Sequence, residues 1–125
     1  MQQTLKFSIL DLERRIISNK DRYKLNIDEK KEIKKTLFNK NILIVGACGS
    51  IGKFFTKELY KFGFKNMYLL DKNENALVEL NRELVLLNNK KIKKTNFVCT
   101  DITSFNLDVF LLDNKINQYY NFAAM

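Results

Sequence analysis

The chain of 125 residues has no histidine, only two cysteines, and 14 acidic residues against 22 basic ones. Its apolar runs all fall well short of the roughly 18 residues that a membrane-crossing helix requires. The opening residues show neither the features of a signal peptide nor a cleavage site. Each scarcity removes a class of function. Without an imidazole to take its proton, Cys48 is a poor nucleophile, and no metal site is expected within the chain. The net charge of +8 raises the question of nucleic acid. However, the lysines are dispersed as Lys30-Lys31, Lys34-Lys35, Lys90-Lys91 and Lys93-Lys94, and no aromatic stacking motif accompanies them. They read as a solvated surface that assists anionic ligands at long range, with no nucleic-acid partner.

What the sequence does have is concentrated in one stretch, Asn41-Ile-Leu-Ile-Val-Gly-Ala-Cys-Gly-Ser-Ile-Gly52. Residues 42–45 are an unbroken apolar run, the pattern of a strand buried on both faces of a parallel sheet. Three of the four glycines follow at Gly46, Gly49 and Gly52. A helix is then expected, with Ile51, Phe54, Phe55, Leu59 and Phe62 on one face and Gly63 as its stop. Strand, glycine turn and helix make a phosphate cradle. The first glycine permits a sharp turn, the second lets backbone approach a pyrophosphate, and the third lets helix and strand pack closely. The helix N-terminus adds free N–H groups and partial positive charge.

A second apolar run, Met67-Tyr-Leu-Leu70, ends in Asp71, 19 residues beyond Gly52. An acidic side chain at that strand tip is placed to accept hydrogen bonds from an adenosine ribose, which points to NAD, with NADP as the second option because Lys72 stands beside it. Asn73 can cap a following helix with Leu77, Leu80, Leu84 and Leu87 as its apolar stripe, stopped by Asn88-Asn89. A strand over 95–100 follows, bounded by Asp101, which is either a turn residue or, with Ile102, a flank of the adenine. Leu107, Phe110 and Leu111 suggest another helix. Residues 118–124, Gln-Tyr-Tyr-Asn-Phe-Ala-Ala, read as a fourth strand whose small residues leave room for a ligand.

This alternation predicts an α/β fold, a Rossmann-type parallel sheet of about four strands in the order 3-2-1-4. In that order the strands bearing Cys48 and Cys99 have another between them, about two strand spacings (~9.5 Å) apart, beyond disulfide reach. Both thiols are expected to be free in a reducing cytoplasm. Residues 1–40 form a helical appendage before the domain of 41–125. Leu5, Ile9, Leu12 and Ile16 make an amphipathic stripe, 18–21 break it, and Asn26-Ile-Asp-Glu29 resembles a capping box before a helix with Ile33 and Leu37 inside. The appendage covers the core or makes a subunit contact in a homo-oligomer; the pattern does not choose.

Four segments carry a family likeness: Val45-Gly-Ala-Cys-Gly-Ser-Ile-Gly52, Leu69-Leu-Asp-Lys-Asn-Glu-Asn-Ala76, Cys99-Thr-Asp-Ile102 and Tyr120-Asn-Phe-Ala-Ala-Met125. Together they resemble the extended short-chain dehydrogenase/reductases, and within them the nucleotide-sugar dehydratases of polysaccharide biosynthesis, of the UDP-N-acetylglucosamine 4,6-dehydratase type. The resemblance implies a tightly bound NAD(P) that takes hydride from C4 of the sugar, elimination of water across C5 and C6, and return of the hydride to C6. It places Gly46, Gly49, Ser50, Ile51 and Gly52 on the pyrophosphate, Asp71 and Lys72 on the ribose, and Asp101 and Ile102 at the adenine. Phe122, Ala123 and Ala124 would line the nicotinamide side. The usual threonine before the first glycine is Val45 here.

That family's catalytic Tyr-x-x-x-Lys lies on a helix after the fourth strand. The match in this chain, Tyr68 to Lys72, runs along the second strand instead. Residues four apart meet on a helix but stand about 13 Å apart on a strand, so this match is accidental. The expectation is an N-terminal, cofactor-binding portion of a dehydratase or epimerase, with the catalytic half absent from these residues. The alternative is a non-catalytic binding or assembly module on the same fold.

Overall fold

The computed structural model describes residues 27–87 and 94–123. The stripe over 5–16, the break at 18–21, the Asn26 cap, the Asn88-Asn89 stop and Ala124 lie outside the described residues. Helix α1, Ile27–Leu37, carries Asp28 and Glu29 in its first turn and Lys34 and Lys35 in its last, the charge order that a helix dipole favours. It buries Ile33 and Leu37, as their spacing predicts, and ends where Asn39 turns left-handed at φ 57°.

Strand β1, Asn41–Val45, is buried at all five positions. Then come α2, Ser50–Tyr60; β2, Asn66–Asp71; α3, Glu74–Leu87; and β3, Thr95–Cys99. A 3-10 turn at Ile102–Ser104 leads to α4, Leu107–Asp113, and to β4, Gln118–Asn121. All strand pairs are parallel, and the sheet order is β3-β2-β1-β4. This is the α/β topology that the alternating pattern implies.

Period-two side chains divide the core between two faces. Ile42, Ile44, Met67 and Leu69 meet Leu37 of α1, Phe55 and Leu59 of α2, and Leu77, Leu80 and Leu84 of α3. Leu43, Val45, Tyr68 and Leu70 meet Leu107, Phe110 and Leu111 of α4 on the other side. Edge-on aromatic contacts lock both layers, Phe55 to Tyr120 at 4.9 Å and Tyr68 to Phe110 at 5.4 Å. Tyr68 is therefore a packing residue on a strand.

Three local expectations change. Gly63 is not the stop of α2: the helix ends at Tyr60 and Lys61 caps it in a right-handed conformation. Its last turn tightens instead, with Lys61 and Phe62 amides donating to the Glu58 and Leu59 carbonyls. Leu87, at the end of α3, is 46% exposed, so the buried stripe closes at Leu84. Strand β4 ends at Asn121 and not at 124, because the Asn121 side chain accepts the Ala123 amide at 2.9 Å and bends the chain off the ladder.

The register sets the position of the site. Val45 pairs with Leu70 and with Asn121, and Asp71 pairs with Cys99, so the four strands finish along one edge. The crossover that leaves β1, through α2, and the one that enters β4, through α4, lie on opposite faces of the sheet. A crevice opens at that switch point, outside the carboxyl ends of the strands.

Candidate functional site

An open cleft of about 470 Å3 occupies this position. Gly46 and Gly49 come to it from the glycine turn, Asp71 and Lys72 from the tip of β2, Asp101 and Ile102 from the exit of β3, and Phe122 and Ala123 from the exit of β4. Eight of the twelve residues expected from sequence are thus brought together from four separate loops. Thr100 and Thr103 also line the cleft, and the sequence reading missed them. Ser50, Ile51 and Gly52 are not among the lining residues; they form the first turn of α2, which Gly49 joins to the cleft.

The three glycines of the turn have three different physical reasons. Gly46 has φ +72°, and a Cβ there would stand 2.5 Å from the Ala123 nitrogen. Gly52 is buried in α2, where a Cβ would strike the Gly46 carbonyl. Gly49 is exposed, and a Cβ would meet only the Gly46 carbonyl oxygen, at an ordinary 3.6 Å. Nothing among the described residues demands glycine at 49. The space beside it is open on the cleft side, the arrangement expected where backbone must come close to a ligand.

An inventory of amides along the turn shows what that backbone offers. Gly46 and Ala47 both donate to the Leu70 carbonyl, at 2.8 and 3.4 Å, and Gly49 donates to Gly46 at 3.3 Å. The Cys48 amide donates to Oδ2 of Asp71 at 3.0 Å. Ser50, Ile51 and Gly52 have no protein acceptor among the described residues, and Gly49, as N-cap, has no side chain to supply one. Three consecutive N–H groups at the positive end of an 11-residue helix therefore remain open to an anion.

The two carboxylates at the cleft are each held in place. Asp71 accepts from the Asn73 amide through Oδ1 at 3.0 Å, while Asn73 itself caps α3 through the Ala76 amide. Asp101 accepts the Thr103 amide and hydroxyl, at 3.0 and 2.9 Å, and these two bonds hold its carboxyl below the usual range. Asp101 is therefore the cap of the 3-10 turn and a wall of the cleft at once. Lys53, in the first turn of α2, is drawn to Glu83 of α3 at 2.8 Å, where Lys57 joins it. Burial, followed by the adjacent Asp71 carboxylate, pushes the Cys48 thiol up to about 12, which leaves it inert as a nucleophile. Both cysteines are free, and β2 separates their strands as expected. Burial also raises Tyr119 and Tyr120, and the Tyr120 hydroxyl bonds to Oε1 of Gln118 at 3.1 Å.

A parallel sheet with a switch point, a glycine turn and an open helix N-terminus at its carboxyl edge define a Rossmann-type α/β domain. The chain belongs to the polysaccharide biosynthesis protein family, whose profile matches residues 42–125. It is 49% identical over 55 residues to an uncharacterized membrane protein of Methanocaldococcus jannaschii, a match that covers 44% of this chain and 16% of that one. It is similar in structure to Pen from Bacillus thuringiensis, known from an X-ray structure, with a TM-score of 0.57 and 27% identity. That likeness covers 71% of this chain and 26% of Pen, so the chain spans a minor part of either relative. Among the described residues no helix is long and apolar enough to cross a membrane.

Proposed function

We propose that residues 41–125 bind NAD as the cofactor-binding portion of a nucleotide-sugar 4,6-dehydratase or epimerase of polysaccharide biosynthesis, with residues 1–40 as an appendage. The observation that carries this reading is the row of open amides at Ser50, Ile51 and Gly52, next to a glycine whose missing side chain leaves space at the cleft. Those groups fit a pyrophosphate. Each oxygen of an ionised carboxylate has capacity for a further bond, so Asp71 can accept ribose hydroxyls beside its two backbone donors. Asp101 and Ile102 would flank the adenine, and Phe122, Ala123 and Ala124 would face the nicotinamide half.

A bound nicotinamide would supply the acceptor for hydride from C4 of the sugar. The chain's own part is to bind and orient that cofactor. A tyrosine that takes a hydroxyl proton needs a lowered pKa, and among the described residues burial moves Tyr119 and Tyr120 the other way, so the base is assigned to residues outside those described. The nucleotide sugar would be held by residues outside those described.

Calorimetric titration with NAD and NADP tests the reading. The Asp71 charge repels a 2′-phosphate, and Lys72 offsets part of that repulsion, so NAD should bind about tenfold more tightly. Tighter NADP would reverse the roles of the Asp71 and Lys72 pair. Absence of binding by both would sink the assignment of the cleft.

A further inference from the structure

We propose that Asp71 shapes the pyrophosphate cradle from a distance: it fixes the glycine turn through the Cys48 amide, so that anion binding depends on a side chain the anion does not touch. This rests on the dinucleotide reading above and adds a second role to a residue that reading places at the ribose. Three successive amides, Gly46, Ala47 and Cys48, anchor the turn to the last two residues of β2. The first two use the Leu70 carbonyl, which the sheet holds in any case. The third alone relies on a side chain.

That side chain is itself clamped. Asp71 gives one oxygen to Cys48 and the other to the Asn73 amide, both at 3.0 Å, so its carboxylate cannot rotate without breaking a bond. Cys48 is the residue directly before Gly49 and the open N–H groups of α2. Release of the Cys48 amide would return backbone freedom to the segment that must be ordered around the anion. Ordering one residue costs about 1–2 kcal/mol, close to tenfold in affinity. Plain electrostatics predicts the opposite sign, because removal of a negative charge near the cradle should tighten the binding of any anion.

The test uses the 125-residue chain, its Asp71→Asn and Asp71→Ala variants, and inorganic pyrophosphate, which has no ribose. Asparagine keeps the shape of the side chain but only one accepting oxygen. Asp71→Ala should bind pyrophosphate about tenfold more weakly by calorimetry, and Asp71→Asn by a smaller factor, because its one oxygen can serve only one of the two amides. In the parent, amide exchange followed by NMR should show Cys48 protected and Ser50 and Ile51 fast, and the Cys48 protection should vanish in Asp71→Ala while β1 stays protected. Equal or tighter pyrophosphate binding by the variants, or a Cys48 amide in the parent as fast as Ser50, would reduce Asp71 to a ribose contact and overturn the inference alone. A parent that binds no pyrophosphate would overturn the cradle as well.

Discussion

At the scale of single residues, the glycines of the turn differ in what a side chain would destroy. At Gly46 a β-branched residue meets both a left-handed backbone and the Ala123 amide, and at Gly52 it meets the turn itself. Gly46→Val and Gly52→Val should each cost about 2–5 kcal/mol, read as a fall in the urea midpoint. Gly49→Val should leave that midpoint within the range of a surface change, about 0.5 kcal/mol, while NAD binding disappears from calorimetry. Wild-type NAD affinity in Gly49→Val would remove the pyrophosphate from this turn.

At the scale of elements, the sheet is tied at the end opposite the cleft by a side chain the sequence did not advertise. Asn41, 7% exposed at the start of β1, donates from Nδ2 to the carbonyls of Asn114 and Lys115 and accepts from Asn66 through Oδ1. It thus joins β1 to β2 and to the turn between α4 and β4. That turn closes as a Schellman motif, with the Ile116 amide on Leu111 and the Lys115 amide on Leu112, and with Lys115 at φ 52° where glycine is usual. Asn41→Ala would leave two carbonyls and a side-chain amide without their partner at a half-buried corner of the sheet. A loss of about 2–3 kcal/mol in urea unfolding is expected, with no change in NAD affinity beyond that loss. A neutral Asn41→Ala would show that water replaces the clamp.

At the scale of the whole molecule, no tyrosine is among the described residues that line the cleft. Tyr68 is packed against Phe110 on β2, and Lys72 stands at the cleft, so the Tyr-x-x-x-Lys between them follows strand geometry. With Tyr119 and Tyr120 raised by burial, none of these three tyrosines is set up as a base. The 125-residue chain, incubated with NAD and UDP-N-acetylglucosamine, should form no 4-keto sugar above a Gly49→Val control. Turnover above that control would place a catalytic group within these residues. Because the chain covers only 26% of Pen and 16% of the archaeal relative, the activity of a longer protein is a separate measurement.

The sequence by itself determined the elements, the strand order and most of the cleft. Apolar period, glycine spacing and an acidic residue at a strand tip are local features, and a parallel alternation has few ways to close. The run over 42–45, the Ile33 and Leu37 pair, the Leu77-Leu80-Leu84 stripe, and Gly46 and Asp71 at one strand edge were legible on those grounds, whereas Phe122 was placed only by the family resemblance and Asp101 read equally as a turn residue. Tertiary structure alone decided which groups are already satisfied. Cys48 and Asp71 are 23 residues apart and Asn41 and Lys115 74 apart, and such partners follow from register, not from period. Lys53 could have faced the cradle but turns to Glu83 on the neighbouring helix. Lys115 adopts a left-handed conformation that no lysine advertises, because the bonds on both sides of it hold it there. Hydropathy is written residue by residue, whereas a hydrogen-bond partner exists only once distant segments have met.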